Sequence, residues 1–167
     1  IAMSHAKGHK FAHNNLQGLE ALLEAQNTPG KIRPEIYVVT EAVFSMDGDS
    51  PALKEVASLC KKYSAYLIVD QAHATGVIGP MGKGLVQELV LEDLVFARIV
   101  TFGKALGCHG AAILGSCELK SYLINFARSF IYTTALPPHT LATIGAAYSE
   151  LEHNSDAIKK LQDNIST

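Results

Sequence analysis

Lys104 lies in Val100-Thr101-Phe102-Gly103-Lys104-Ala105-Leu106-Gly107, a primary amine on a glycine-rich turn that follows an apolar, β-branched run. A second such run, Tyr66-Leu67-Ile68-Val69-Asp70-Gln71-Ala72-His73, ends in an aspartate with a histidine three residues on. An amine can condense with an aldehyde, a carboxylate can keep an aromatic nitrogen protonated, and an imidazole can sit beside a phenolic oxygen. Those are the three protein contributions that pyridoxal phosphate requires, and Lys104, Asp70 and His73 are the candidates for them. A carboxylate at the end of a buried apolar strand is costly unless a charge partner or hydrogen bonds satisfy it. A protonated pyridine nitrogen would be such a partner. The plainer reading is that Asp70 caps its own following loop, as aspartates at strand ends commonly do.

Several elements must converge to bring these groups together. Leu16, Leu19, Leu22 and Leu23 recur at helical spacing before the breaker Asn27-Thr28-Pro29-Gly30. Residues 36–40 form a short β-branched run that ends at Glu41. Residues 52–63 read as a helix opened by Ser50 as N-cap with Pro51 at the first helical position, placing Leu53, Val56, Leu59 and Cys60 on one face. A strand over 66–69, a glycine-rich stretch over 76–84, a short helix near 85–90 and a strand over 99–102 follow. A candidate strand at 111–114 and helices near 118–127 and 141–151 complete the pattern, with Leu136-Pro137-Pro138 as the turn between the two helices. Continuously apolar runs indicate strands covered on both faces, and helical connections of this length suit parallel crossovers. The fold class is therefore α/β, a three-layer sandwich around a mostly parallel sheet. Ligands collect beyond the carboxyl ends of such strands, where Glu41, Asp70 and Thr101 all fall.

Composition narrows the function classes. The 167 residues, 48% hydrophobic and 18% charged, suffice for one globular domain with a sizeable core. A net charge of −2 with no basic run longer than Lys-Lys offers neither nucleic acid nor an anionic membrane a docking surface. No apolar stretch is long enough to span a bilayer, and residues 1–10 are too polar for a secretory signal, so a cytoplasmic location is expected. Cys60, Cys108 and Cys117 are odd in number and lack CxxC spacing, which fits reduced thiols. Both ends read as cut: Ile1 is not a start residue, and residues 156–167 open a helix with nothing after it to pack on. Residues 1–152 are thus expected to be the central part of a cofactor-binding large domain, and 153–167 the start of a helix leading to a further domain.

Other patterns resolve to plain readings. His5, His9 and His13 are spaced by four, which on a helix would align three zinc ligands, but Gly8 and the non-helical look of residues 11–15 favour solvated histidines and no metal. Residues 76–84, Gly-Val-Ile-Gly-Pro-Met-Gly-Lys-Gly, lack the spacing and hydroxyl residue of a phosphate loop and read as a turn-rich loop shaping the site. Asp47-Gly48-Asp49 lacks the remaining ligands of a calcium loop and reads as a tight turn. Ser45 could likewise be only a loop hydroxyl.

Four ordered motifs go further. Residues 39–49, Val-Thr-Glu-Ala-Val-Phe-Ser-Met-Asp-Gly-Asp, residues 69–76, Val-Asp-Gln-Ala-His-Ala-Thr-Gly, and residues 101–107, Thr-Phe-Gly-Lys-Ala-Leu-Gly, are the first three. The fourth joins Phe126-Ala127-Arg128 to residues 131–138, Ile-Tyr-Thr-Thr-Ala-Leu-Pro-Pro. With Phe11-Ala12-His13-Asn14-Asn15 ahead of them, the chain resembles the α-oxoamine synthases along nearly its whole length.

The resemblance implies a fold-type I pyridoxal phosphate enzyme, homodimeric, with sites at the subunit interface. It implies that Lys104 would hold the cofactor as an imine, Asp70 would pair with the pyridine nitrogen, and His73 would contact the phenolic oxygen. Glu41 and Ser45 would line the substrate and cofactor side, Thr101 would reach the phosphate, and Thr133 and Thr134 would approach the phosphate of the partner subunit. The family reaction joins an amino acid to an acyl thioester, carried on coenzyme A or acyl carrier protein, with loss of carbon dioxide. Lys104 would take the α-proton, for which its amine must be neutral. Two positions depart from the family pattern: Asn15 replaces the usual aspartate after His-Asn, and Gln71 replaces a usual acidic residue between Asp70 and Ala72-His73. A segment upstream and a carboxylate-binding arginine downstream fall outside the chain, which by itself is expected to lack full activity. The competing class is a non-catalytic piece that keeps only fold and interface.

Overall fold

The computed structural model describes residues 5–27, 34–153 and 155–166. Of the breaker after the first helix, Thr28-Pro29-Gly30 lies outside the described residues. Helix α1 spans Leu16–Gln26, and the side chain of Asn15 caps it by accepting the Gly18 N–H at 2.9 Å. Asparagine and aspartate are about equally good N-caps, so the Asn15 departure is chemically silent.

Strand β1 (Tyr37–Glu41), helix α2 (Leu53–Lys62) and strand β2 (Tyr66–Asp70) follow. Helix α2 does bury Leu53, Val56 and Cys60 on one face, but Ser50 is not its cap. Its first intrahelical bond runs from Val56 N–H to the Ala52 carbonyl, and the N-cap position belongs to Ala52 with no side-chain bond. Pro51 explains the shift, because its ring drives the preceding residue to extended backbone and leaves Ser50 outside the helix. After β2 come a 3-10 turn at Pro80–Gly82, helix α3 (Leu85–Glu88), a 3-10 turn at Glu92–Leu94, and strands β3 (Ala97–Thr101) and β4 (Ala111–Gly115). Helices α4 (Cys117–Phe126), α5 (Arg128–Ile131), α6 (Pro138–His153) and α7 (Ser155–Ile165) complete the order. Ser116 caps α4 by accepting the Leu119 N–H.

The four strands form one open sheet in the order β1-β2-β3-β4, with the first three parallel and β4 antiparallel to β3. This is the mostly parallel α/β sheet flanked by helices that the alternating pattern implied. Leu19 and Leu23 of α1, the buried face of α2 and Val86 of α3 pack on Val38, Leu67 and Val69 of the sheet. A second cluster, Val100, Phe102 and Ile144, seats α6 against β3. On the other face, the in-register residues Val39 and Ile68, then Ile99 and Ile113, are less covered, with Ile113 54% exposed. Cys60, Cys108 and Cys117 are all free thiols, and burial pushes the Cys60 thiol up to about 11. Among the described residues, no helix is long and apolar enough to cross a membrane.

One position is strained. Val90, just after α3, has φ +55°, a left-handed conformation that costs a β-branched residue roughly 1–2 kcal/mol. Its side chain is 82% exposed, so no packing offsets that cost. Val90→Gly is expected to raise the unfolding free energy by about 1 kcal/mol in urea denaturation. An unchanged or lower midpoint would show that the backbone there relaxes away from the left-handed region.

Candidate active site

Glu41, Asp70 and Thr101 are the last residues of β1, β2 and β3, at one edge of the sheet. Glu41 and Asp70 are direct register partners, and Asp70 is paired with Ile99, two residues before Thr101. Because side chains alternate along a strand, all three belong to one face, the less covered one. Both carboxylates are half-buried.

The Asp70 carboxylate is divided in its contacts. Among the described residues, Oδ1 accepts the Ala72 N–H at 2.9 Å, which is the loop-capping bond expected of a strand-end aspartate, and Oδ2 takes no hydrogen bond. The cap therefore accounts for half of the carboxylate and leaves the other oxygen for a cationic donor. From Asp70 the chain turns tightly, with the Gln71 carbonyl accepting the N–H groups of Ala74 and Thr75 and the Thr75 hydroxyl. That turn carries His73.

Lys104 is at the tip of the connection between β3 and β4. The connection is closed by Phe102 N–H to the Gly110 carbonyl, Cys108 N–H to Phe102 and Gly107 N–H to Lys104. The Lys104 Nζ lies 2.5 Å from His73 Nε2, so the amine and the imidazole, 31 positions apart in sequence, share a hydrogen bond. Gly76 makes this approach sterically feasible. Its φ is +80°, and a Cβ placed on it would stand 2.5 Å from the Ala105 Cβ, the residue next to Lys104.

Thr101 supplies an independent indication that a polar group belongs here. Its hydroxyl is buried and, among the described residues, has no hydrogen-bond partner. Orphaned buried hydroxyls are uncommon, and a phosphate oxygen accepting from Thr101 would satisfy this one. An unpaired carboxylate oxygen, a free hydroxyl and a lysine-histidine pair at one sheet edge thus fit pyridoxal phosphate.

The remaining candidates are less closely gathered. Ser45 is exposed on the turn after β1, where Gly48 N–H bonds to the Phe44 carbonyl and Gly48 adopts φ +70°. That turn is clamped from the N-terminal side, since Asp49 accepts from Asn14 at 2.6 Å and lies 2.9 Å from His13, whose ring packs edge-on to Phe44. His13 groups with Asp47 and Asp49 rather than with His5 and His9, which precede it in non-helical chain. Thr133 and Thr134 are exposed between α5 and α6. Thr133 borders an apolar groove between β4, α4 and α5, lined by Ile113, Leu119, Leu123 and Phe130, rather than the strand-end cluster.

Comparison with known proteins agrees with this arrangement. The sequence model of the aminotransferase class I and II family matches residues 1–166. The 8-amino-7-oxononanoate synthase of Emericella nidulans is 47% identical over 150 residues, covering 85% of this chain and 36% of the relative. The solved structure of an 8-amino-7-oxononanoate synthase from Francisella tularensis is 33% identical with a TM-score of 0.83, covering 99% of this chain and 46% of that one. Sphingomonas wittichii serine palmitoyltransferase is 31% identical with a TM-score of 0.82, covering 91% and 37%. The chain spans between about 36% and 41% of the length of the curated relatives it matches.

The contact between the two turns yields a test. Gly76→Ala adds left-handed strain and overpacks Ala105, and it is expected to lower stability by about 2–4 kcal/mol in denaturant unfolding. Ala105→Gly in the same chain should recover the overpacking part alone. A Gly76→Ala protein as stable as the parent would mean that the turns do not meet.

Proposed function

This chain belongs to the aminotransferase class I and II family, and on that premise we propose that it is part of an α-oxoamine synthase that condenses an amino acid with an acyl thioester. Residues 1–152 are then the central part of the pyridoxal-phosphate-binding large domain, and 153–167 lead towards a further domain. The observation that carries the reading is the 2.5 Å contact of Lys104 with His73 beside the half-open Asp70 carboxylate.

Bound pyridoxal phosphate supplies an aldehyde for amines and a cationic ring that delocalises charge from the substrate Cα. The chain's own groups do the rest. Asp70 Oδ2 holds the proton on the pyridine nitrogen, His73 orients the phenolic oxygen, and the Thr101 hydroxyl donates to the phosphate. Lys104 Nζ holds the cofactor between turnovers and, when displaced by substrate, is the base that takes the Cα proton and later returns one. Glu41 and Ser45 line the substrate side, and Thr133 and Thr134 reach the phosphate of a partner subunit. In the net reaction a bond forms between Cα and the acyl carbon, the thiol leaves, and the amino-acid carboxylate leaves as carbon dioxide.

L-Alanine and a pimeloyl thioester, on coenzyme A or acyl carrier protein, are the substrates we favour, which places the reaction in cytoplasmic biotin biosynthesis. Support comes from the 47% identity to the Emericella nidulans synthase. A serine palmitoyltransferase-type reaction is the second reading, supported by the Sphingomonas wittichii structure. 2-Amino-3-ketobutyrate ligase and aminolevulinate synthase chemistry use the same site groups.

In the full-length protein with pyridoxal phosphate, an absorbance band near the visible edge is expected, abolished by borohydride with the cofactor trapped on Lys104. Lys104→Ala should remove the trapping and lower kcat by at least about 10²–10⁴-fold. A band and turnover indifferent to Lys104→Ala would end the enzyme reading. Steady-state assays pairing alanine or serine with pimeloyl or palmitoyl thioesters separate the two substrate readings.

Phe126, Phe130 and Tyr132 are 66%, 59% and 80% exposed, an apolar surface suited to a homodimer interface. Sedimentation equilibrium of the full-length protein is expected to give a dimer at micromolar concentration. A monomer at high concentration would count against that assembly.

A further inference from the structure

Gln71 is 0% exposed, a wholly buried polar side chain between the two site residues Asp70 and His73. Burying an amide is costly unless its donor and acceptor are both used, and here both are. Oε1 accepts the N–H of Val86 at 3.0 Å, and Nε2 donates to Gln87 Oε1 at 3.3 Å. Val86 is in the first turn of α3, where a helix has N–H groups without intrahelical acceptors and where Gly84 offers no side-chain cap. A residue 15 positions upstream supplies the missing acceptor. Gly84 is shaped to admit it, since a Cβ there would lie 2.5 Å from Gln71 Oε1.

The backbone of Gln71 is held as firmly as its side chain. Its N–H donates to the Ile99 carbonyl of β3, and its carbonyl takes the Ala74 and Thr75 bonds that form the His73 turn. Rotation of this one residue would therefore move the Asp70 carboxylate and the His73 ring together. The α3 segment also closes the glycine loop, through Gly84 N–H to the Ile78 carbonyl and Gly76 N–H to the Gly82 carbonyl, and Gly76 is the point of contact with the lysine turn.

We propose that Gln71 is a positioning residue: through Val86 and Gln87 it fixes the Asp70 and His73 turn on α3 and so sets the geometry in which Lys104 meets His73. The proposal deepens the pyridoxal phosphate reading and rests on it. The demand on position 71 is an acceptor for the Val86 N–H, which a carboxylate also meets. This accounts for glutamine standing where the family pattern has an acid, because Gln87 can turn its amide to suit either partner.

The experiment is cofactor titration of the full-length protein, following the borohydride-sensitive band and its pH midpoint, for the parent, Gln71→Met, Gln71→Glu and Gln87→Ala. A parent without the band defeats the functional reading and leaves the positioning claim without a site. Given the band, Gln71→Met is expected to weaken cofactor binding and kcat by about tenfold or more and to move the pH midpoint, with Lys104 still reducible. Gln71→Glu should restore most of the loss, and Gln87→Ala should show a smaller change in the same direction. Parent-like binding and midpoint in Gln71→Met, or a loss that Gln71→Glu does not recover, overturns the proposal. Should Gln71→Met fail to fold, parent-like values in Gln87→Ala overturn it instead.

Discussion

Two turns have to touch for this site to exist. One follows β2 and carries His73; the other joins β3 to β4 and carries Lys104, and the amine reaches the imidazole only because nothing but hydrogen projects from Gly76 towards Ala105. The left-handed φ of Gly76 and its missing Cβ serve the same end, since an L side chain would be strained by the first and excluded by the second. Interiors pack too densely for such a contact to adjust freely. A residue with no chemistry of its own thereby fixes the distance between two residues that have it.

Around that contact the structure is layered in its support. The parallel register of β1, β2 and β3 brings Glu41, Asp70 and Thr101 to one edge, and the core of α1, α2 and α3 against Val38, Leu67 and Val69 holds the register. A one-residue slip would send each strand-end side chain to the opposite face, so the apolar pattern that buries the core also decides which way the carboxylates point. The turn at 44–49 is tied back to His13 and Asn14, which gives Ser45 a fixed address despite its exposure.

The groups at the edge are incompletely satisfied in a consistent way. Asp70 uses one oxygen for its own loop and leaves one open; the Thr101 hydroxyl is buried without a partner among the described residues. Protein interiors seldom leave such atoms idle, and here both lie on strands ending beside the lysine turn. The apolar groove between β4, α4 and α5 is a separate feature on the far side of β4 from the strands that carry the carboxylates.

Much of this was legible in residue order. Apolar runs ending in Glu41, Asp70 and Thr101, and a lysine between glycines, declare strand ends and a turn because hydrophobic burial and backbone freedom are local properties of the residues themselves. The α2 start was misread at Ser50 because Pro51 acts on its predecessor's backbone more strongly than a serine hydroxyl acts on the helix. The role of Gln71 could not be read at all: its partners Val86 and Gln87 are 15 and 16 positions away, and a glutamine inside an apolar run looks like an exception until the fold supplies a donor and an acceptor. Sequence by itself determined which groups stand at which strand ends, since alternation and apolar content are written residue by residue. Only the tertiary structure decided that His73 and Lys104 meet and that Oδ2 of Asp70 stays open, because those outcomes depend on distances between segments that the chain brings together by packing.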